Sequence, residues 1–159
     1  MNVSKGTRLI CCAALLSGWA GIAGAQVLAN DPAGILKRLQ NYGYPATMAT
    51  DSQGDPKIET RVSDTQFSVY FYGCDDNHAN CTAIQFGAGY DLKNGISALK
   101  INEWNRDQRF AKAYIDDESD PFLEMDVNLA ADGVGEKNFE DTVEIWRKQV
   151  ESFEDYIDW

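Results

Sequence analysis

The alternation of apolar and polar residues between positions 65 and 90 predicts a β-hairpin closed by a short polar loop, with Cys74 and Cys81 on either side of that loop. If the cysteines face each other, the facing pairs are Phe71 and Ile84, Val69 and Phe86, Phe67 and Ala88, and Thr65 and Tyr90. All of these side chains fall on one face, and a slip of one residue would separate the two apolar sets. The cysteines and the apolar pattern therefore predict the same register.

The opposite face of the hairpin carries Ser68, Tyr70 and Tyr72 against Gly87, Gln85 and Ala83. Two interpretations of this face are open. Tyrosines beside Gly87 and Gly89 provide a flat, accessible surface suited to protein contact. Alternatively, the glycines only make room for the tyrosine rings, or a helix covers the face.

Periodicity elsewhere predicts three helices and four more strands. The helices are expected from Asp31 to Gly43, from about Ser97 to Phe110, and along an apolar stripe from Phe139 to Ile157 that recurs at intervals of three and four. The strands are expected at 46–50, 57–62, 113–116 and 122–129. The order α-β-β-β-β-α-β-β-α predicts an α+β fold in which an antiparallel sheet carries helices on one face.

The core of such a fold is expected to combine the inward residues of the strands with the apolar stripes of the helices. These residues are Phe67, Val69, Phe71, Ile84, Phe86, Trp104, Leu123, Met125, Val127, Phe139, Val143, Trp146, Val150 and Phe153.

Residues 1–25 have the features of a secretory signal peptide. Lys5 and Arg8 precede an apolar run from Leu9 to Ile22, and Ala23-Gly24-Ala25 is a small-residue cleavage site. A membrane anchor is disfavoured because the apolar run is short and interrupted by serine and glycine. We therefore expect cleavage after Ala25, loss of Cys11 and Cys12, and a single domain over 26–159 in the periplasm or outside the cell, with no membrane span.

The two remaining cysteines, with six residues between them, are most simply a disulfide in an exported protein. A metal site of Cys74, His78 and Cys81, with Asp75 or Asp76 as fourth ligand, is the alternative, and export favours the disulfide. Asn80-Cys81-Thr82 matches a glycosylation sequon, a pattern of low specificity.

The negative charge is concentrated near the C-terminus. Residues 116–159 contain fifteen acidic and three basic residues, whereas residues 26–115 contain ten acidic and nine basic ones. The acidic third either steers a cationic partner or divalent metal, or simply solvates the protein. The net charge of −11 argues against nucleic-acid binding.

The chain lacks the common signatures of catalysis and cofactor binding. A Ser-His-Asp set needs a histidine beside a nucleophile, whereas the one histidine, His78, lies in the polar hairpin loop and is most simply a solvated turn residue. No phosphate loop, dinucleotide fingerprint or zincin motif is present. We expect no cofactor, no resident metal and no catalytic residues.

The block Ile101-Asn102-Glu103-Trp104-Asn105, with Arg109-Phe110, Ala113-Tyr114 and the segments 67–72 and 123–127, resembles the YbjN domain family over essentially the whole of 26–159. That resemblance implies a bacterial protein with a fold like type III secretion chaperones, in a family described as sensory transduction regulators without assigned catalytic residues. The signal peptide and the disulfide distinguish this chain from a cytoplasmic regulator or secretion chaperone.

Two interpretations of the second helix are open. Trp104 is core and Asn105 binds neighbouring backbone groups, or Asn102, Asn105 and Arg109 line a partner groove. The preferred function is a non-catalytic, exported protein-binding module of chaperone or regulatory type. Its binding surface is Tyr70, Tyr72 and Gln85 or the helix groove, and its partner is a cationic protein or a second copy. The alternatives are a small metal-dependent or carboxylate enzyme, which needs converging acids, and a ligand sensor, which needs a pocket.

Overall fold

The computed structural model describes residues 26–159. The expected signal peptide, with Cys11 and Cys12, lies outside these residues. The described chain contains the strands and helices β1 (Gln26–Val27), α1 (Pro32–Asn41), β2 (Thr47–Thr50), β3 (Pro56–Val62), β4 (Thr65–Tyr72), β5 (Ala83–Gly89), α2 (Ala98–Asp107), β6 (Lys112–Ile115), β7 (Pro121–Asn128), β8 (Val134–Gly135) and α3 (Glu136–Ile157). The α+β class and the predicted order of the main elements are confirmed.

Six of the strands form one antiparallel sheet in the order β2-β3-β4-β5-β7-β6. The β4–β5 hairpin has the predicted register, since Val69 lies opposite Phe86 and Phe71 opposite Ile84. The chain leaves β5 through α2, forms the edge strand β6, and returns so that β7 lies between β5 and β6. This insertion places residues distant in sequence beside the hairpin.

The helices cover one face of the sheet. Buried side chains of β4 and β7 alternate with half-buried or exposed ones, and the apolar stripe of α3 is buried from Phe139 to Ile157. The Trp146 ring stacks on Phe86 at 5.7 Å between centroids and meets Phe67 edge-on at 5.8 Å. Of the fourteen expected core residues, thirteen are buried, and Val127 is half-buried and packed against the cluster.

Helix ends follow from local chemistry. The Asp31 carboxylate accepts a hydrogen bond from the Gly34 backbone N–H at 2.9 Å, and Gly43, just after α1, has φ of +93° as predicted. The second helix is shorter than predicted and ends at Asp107 because Gln108 is already extended. The third begins at Glu136, three residues before its apolar stripe.

A two-stranded ladder of β1 with β8 was not predicted. Gln26 lies opposite Gly135, and Val27, fully buried, lies opposite Val134. Gly133 has φ of +64°, and a Cβ atom there would lie 2.2 Å from the Val27 carbonyl oxygen. The glycines that the sequence pattern presents as a break therefore allow the start of the described chain to pack closely on the segment before α3.

Candidate functional site

The sheet has a second face, which points away from the helices, and we call it the open face. Pairing through β4, β5 and β7 places Tyr70, Gln85 and Asp126 in one row, and Gly87 and Glu124 in the next. Lys112 of β6 pairs with Glu124, and Tyr114 pairs with Phe122. The predicted residues Tyr70, Tyr72 and Gln85 therefore lie on the open face with groups from β6 and β7, although Gln85 itself is buried among its neighbours there.

Glycines in β5 let two aromatic rings lie flat on this face. A Cβ atom on Gly87 would lie 3.3 Å from the Tyr70 ring, and one on Gly89 would lie 2.7 Å from the Phe122 ring. The glycines do make room for rings, as one of the two interpretations expected. Tyr72 nevertheless remains 46% exposed and Tyr114 41% exposed. No helix of the described chain covers the open face.

A small pocket of about 150 Å³ opens on this face, and we call it the aromatic pocket. Its walls include Tyr72, Tyr114, Phe122 and Glu124. The Tyr114 and Phe122 rings are stacked nearly parallel, with centroids 5.3 Å apart. The pocket thus combines π-faces with one carboxylate.

Hydrogen bonds hold the polar groups of the pocket in place. The Tyr114 hydroxyl donates to Glu124 Oε1 at 2.9 Å, and the Gln85 amide donates to Asp126 Oδ1 at 2.8 Å. The Tyr72 hydroxyl donates to Gln85 Oε1 at 3.4 Å. These contacts connect the four strands β4, β5, β6 and β7, so the carboxylates have fixed positions.

Burial and charge keep the two tyrosines protonated. Partial burial, followed by the hydrogen bond to Glu124, raises the pKa of Tyr114 to about 12. Burial and the negative charge of Glu124 also raise the pKa of Tyr72. Both phenols therefore remain neutral hydrogen-bond donors throughout the physiological pH range.

The three polar residues expected on the second helix do not form a groove with this face. The Asn105 side-chain amide donates to the Ala113 carbonyl at 2.9 Å, and its oxygen accepts from the Ala113 N–H at 2.8 Å. Asn105 therefore occupies the outer edge of β6 as a neighbouring strand would, which blocks pairing there. Asn102 is exposed, and the Arg109 guanidinium lies 5.0 Å from the Phe110 ring. Asn105 thus binds neighbouring backbone groups, as one of the two interpretations of the second helix expected.

The hairpin tip is held by the Cys74–Cys81 disulfide. Because the two sulfurs are bonded to each other, the alternative metal site is not formed. His78 Nδ1 lies 2.8 Å from Asp55 Oδ1, which connects the tip to the β2–β3 turn. Among residues 26–159 no group of three or more His, Cys, Asp or Glu side chains is arranged to hold a metal ion.

Three of the seven acidic residues of α3, Glu136, Glu144 and Glu151, form ion pairs with basic side chains of the described chain. Glu136 pairs with Arg38 at 2.8 Å, and Glu151 pairs with Arg147. A cleft of about 330 Å³ beside α3 contains Glu144, whose pKa the Arg147 hydrogen bond lowers to about 2. That carboxyl is ionised at neutral pH and is therefore unsuited to act as a general acid.

Lys112, Tyr114, Phe122 and Glu124 were missed as members of this surface. The alternation in 122–129 does place Phe122 and Glu124 opposite the core residues. The pattern does not predict which strand lies next to β7, because the chain passes through α2 and β6 before β7 pairs with β5. These residues could have been assigned to the open face only if the pairing of β5 with β7 had been known.

Residues 31–159 match the family model for YbjN, described as "Putative bacterial sensory transduction regulator". The chain belongs to the YbjN family. The match confirms the resemblance carried by the 67–72 and 101–105 blocks, and it covers every element of this YbjN-family chain from α1 to α3. No curated protein and no solved structure matches the chain. In the part of the chain that the structure describes, no helix combines the length and the apolar character that a membrane span requires.

Proposed function

We propose that this YbjN-family chain is a non-catalytic protein-binding module that acts in the periplasm or outside the cell and holds its partner on the open face. The observation that carries the proposal is the asymmetry of the sheet. One face is sealed by three helices, while the other presents exposed aromatic rings around a pocket with fixed polar groups. A regulatory role through a bound partner is compatible with the description of the family.

The composition of the open face supports protein binding. Tyrosine and phenylalanine are enriched at protein interfaces and supply large contact area with few rotatable bonds. Tyr72 and Tyr114 keep about half of their surface exposed at 46% and 41%, so a partner could still bury it. The Tyr70 and Phe122 rings lie over Gly87 and Gly89 and add aromatic area to the same face.

Export is supported by the N-terminal pattern and by the disulfide, since structural disulfides persist in oxidising compartments. Intact-mass spectrometry of the exported protein should give a chain that begins at Gln26 and is about 2 Da lighter than the reduced form, because two hydrogens are lost. Retention of residues 1–25 or the presence of free thiols would contradict the proposed location.

Removing the exposed rings should abolish partner capture. The double variant Tyr72→Ser/Tyr114→Ser should retain less than about a tenth of the protein captured by the native chain, because loss of two interface aromatics costs well over 1.4 kcal/mol. Quantitative mass spectrometry of pull-downs from the exported fraction is the measurement, and light scattering after size exclusion detects a second copy as the partner.

Leu99→Ser provides the matched control, since Leu99 is 68% exposed and lies on α2, away from the open face. This variant should capture the same protein in the same amount as the native chain. A partnerless monomer, or equal capture by the double variant, would contradict the proposed function.

A further inference from the structure

We propose that the aromatic pocket is a receptor for one cationic side chain, preferably an arginine, presented by the partner protein. This inference rests on the proposed function and adds the chemistry by which the open face selects its partner. The juxtaposition that carries it is a recessed carboxylate, Glu124, framed by the rings of Tyr114, Phe122 and Tyr72.

The electrostatics of the aromatic pocket favour a cation. The Glu124 side chain is only 18% exposed, so it is more weakly screened by water than a surface carboxylate. Aromatic rings attract cations through their negative π-faces, most strongly where the cation is desolvated. A carboxylate and stacked rings in one pocket therefore favour a positive group and disfavour an anion.

A cation of the chain itself, Lys112, already lies beside the Glu124 carboxylate. Lys112 Nζ lies 3.2 Å from Glu124 Oε2 and 3.4 Å from Asp126 Oδ2. The Lys112 side chain is 57% exposed, so its ammonium stays largely hydrated and holds Glu124 less strongly than a desolvated cation would. Lys112 thus marks the place where a cation binds, and its long side chain can swing into solvent when a stronger cation arrives.

The size and shape of the aromatic pocket suit a guanidinium group. A pocket of about 150 Å³ has the volume of about five water molecules at ~30 Å³ each, enough for the head of one side chain and too small for a helix. A guanidinium is planar, stacks on aromatic faces and binds a carboxylate through two N–H groups, whereas an ammonium is a strongly hydrated point charge. The parallel Tyr114 and Phe122 rings and the fixed Glu124 carboxylate fit the guanidinium better.

The charge of the whole domain acts in the same direction. Residues 26–159 have twenty-five acidic and twelve basic residues, so a cationic partner is attracted at long range. On the open face itself, the Lys57 ammonium already lies 5.9 Å from the centre of the Tyr70 ring, an example of the same contact within the chain.

The test is a ¹H–¹⁵N NMR titration of the protein from Gln26 to Trp159 with N-acetyl-arginine amide. Shifts should appear at Gly87, Gly89 and Tyr114, with weak, millimolar affinity that falls as salt is raised. N-acetyl-citrulline amide, which has the same shape without the charge, should bind at least about tenfold more weakly. N-acetyl-lysine amide should bind more weakly than the arginine probe.

Two variants give opposite expectations. Glu124→Gln should weaken the arginine probe by about tenfold, because the carboxylate is lost, while Lys112→Met should tighten it, because the internal competitor is removed. Glu140→Gln, in the cleft beside α3, should leave the affinity for the arginine probe unchanged. Dispersed spectra of each variant establish that it is folded.

Equal binding of the citrulline probe, no weakening by Glu124→Gln, or weaker binding with Lys112→Met would overturn the inference. These outcomes can be separated from failure of the proposed function. If Glu124→Gln keeps the captured partner while Tyr72→Ser/Tyr114→Ser loses it, the open face binds a partner without the cationic anchor. If neither variant affects capture, the open face is not the binding surface.

Discussion

Replacing Trp146 with alanine is expected to lower the free energy of unfolding by about 3–5 kcal/mol, as for other large truncations in a close-packed core. Trp146 is 1% exposed, and its ring joins the third helix to the two central strands through Phe86 and Phe67. The lost ring leaves a cavity that helix and sheet can close only in part, because both are held by many other contacts. Urea unfolding followed by circular dichroism measures the change.

Leu99→Ala is the control for this prediction, because Leu99 is a large apolar residue that is 68% exposed. Its effect should stay within about 0.5 kcal/mol. A loss below about 1 kcal/mol for Trp146→Ala would mean that α3 is not packed on the sheet as described.

Removing the hairpin disulfide has the second largest expected effect. Cys74 and Cys81 are separated by 7 positions, and opening so small a loop releases chain entropy equivalent to roughly 2.5 kcal/mol in the unfolded state. The double variant Cys74→Ser/Cys81→Ser should be destabilised by about that amount in urea unfolding, with some additional loss from burying a hydroxyl at Cys81, which is 4% exposed.

Unfolding measured with and without a reductant separates the effect of losing the disulfide from the effect of the serine substitutions. A thiol reductant should destabilise the native protein by a similar amount and leave the double variant unchanged. A native protein whose unfolding midpoint does not respond to full reduction would show that the disulfide does not stabilise the fold.

The parts of the fold that were predictable are those in which two independent signals agree. In the β4–β5 hairpin, the cysteine pair and the period-two pattern specify the same register, and Val69 indeed lies opposite Phe86. The apolar stripe of the last helix recurs at intervals of three and four over enough residues to exclude the period of two that a strand would have. This stripe is buried along its length.

The parts that were not predictable depend on pairing between distant segments. A ladder of two residues per strand, such as Gln26–Val27 with Val134–Gly135, is too short to leave a periodic pattern. The position of β7 between β5 and β6 depends on the topology of the sheet, which has no local sequence pattern. This position brings Tyr114, Phe122 and Glu124 to the open face.

The candidate site was therefore half predictable. Tyr70, Tyr72 and Gln85 follow from the hairpin register alone, since they share the face opposite the core. The role of Asn105 does not follow from its position on a helix, because its two hydrogen bonds to Ala113 depend on where α2 meets the edge of β6. The aromatic pocket is built from residues of four strands, so no single segment of the sequence predicts it.

The most direct test of the central claim, that the open face holds a protein partner, is site-specific photo-crosslinking in living cells. p-Benzoylphenylalanine is introduced at Tyr72 or at Tyr114, both exposed on the open face, and at Leu99 on α2 as the control. The account predicts one shared crosslinked partner, or a second copy of the chain, from both open-face positions and none from the control position. Adducts at Leu99 alone, or equal adducts at all three positions, would contradict it.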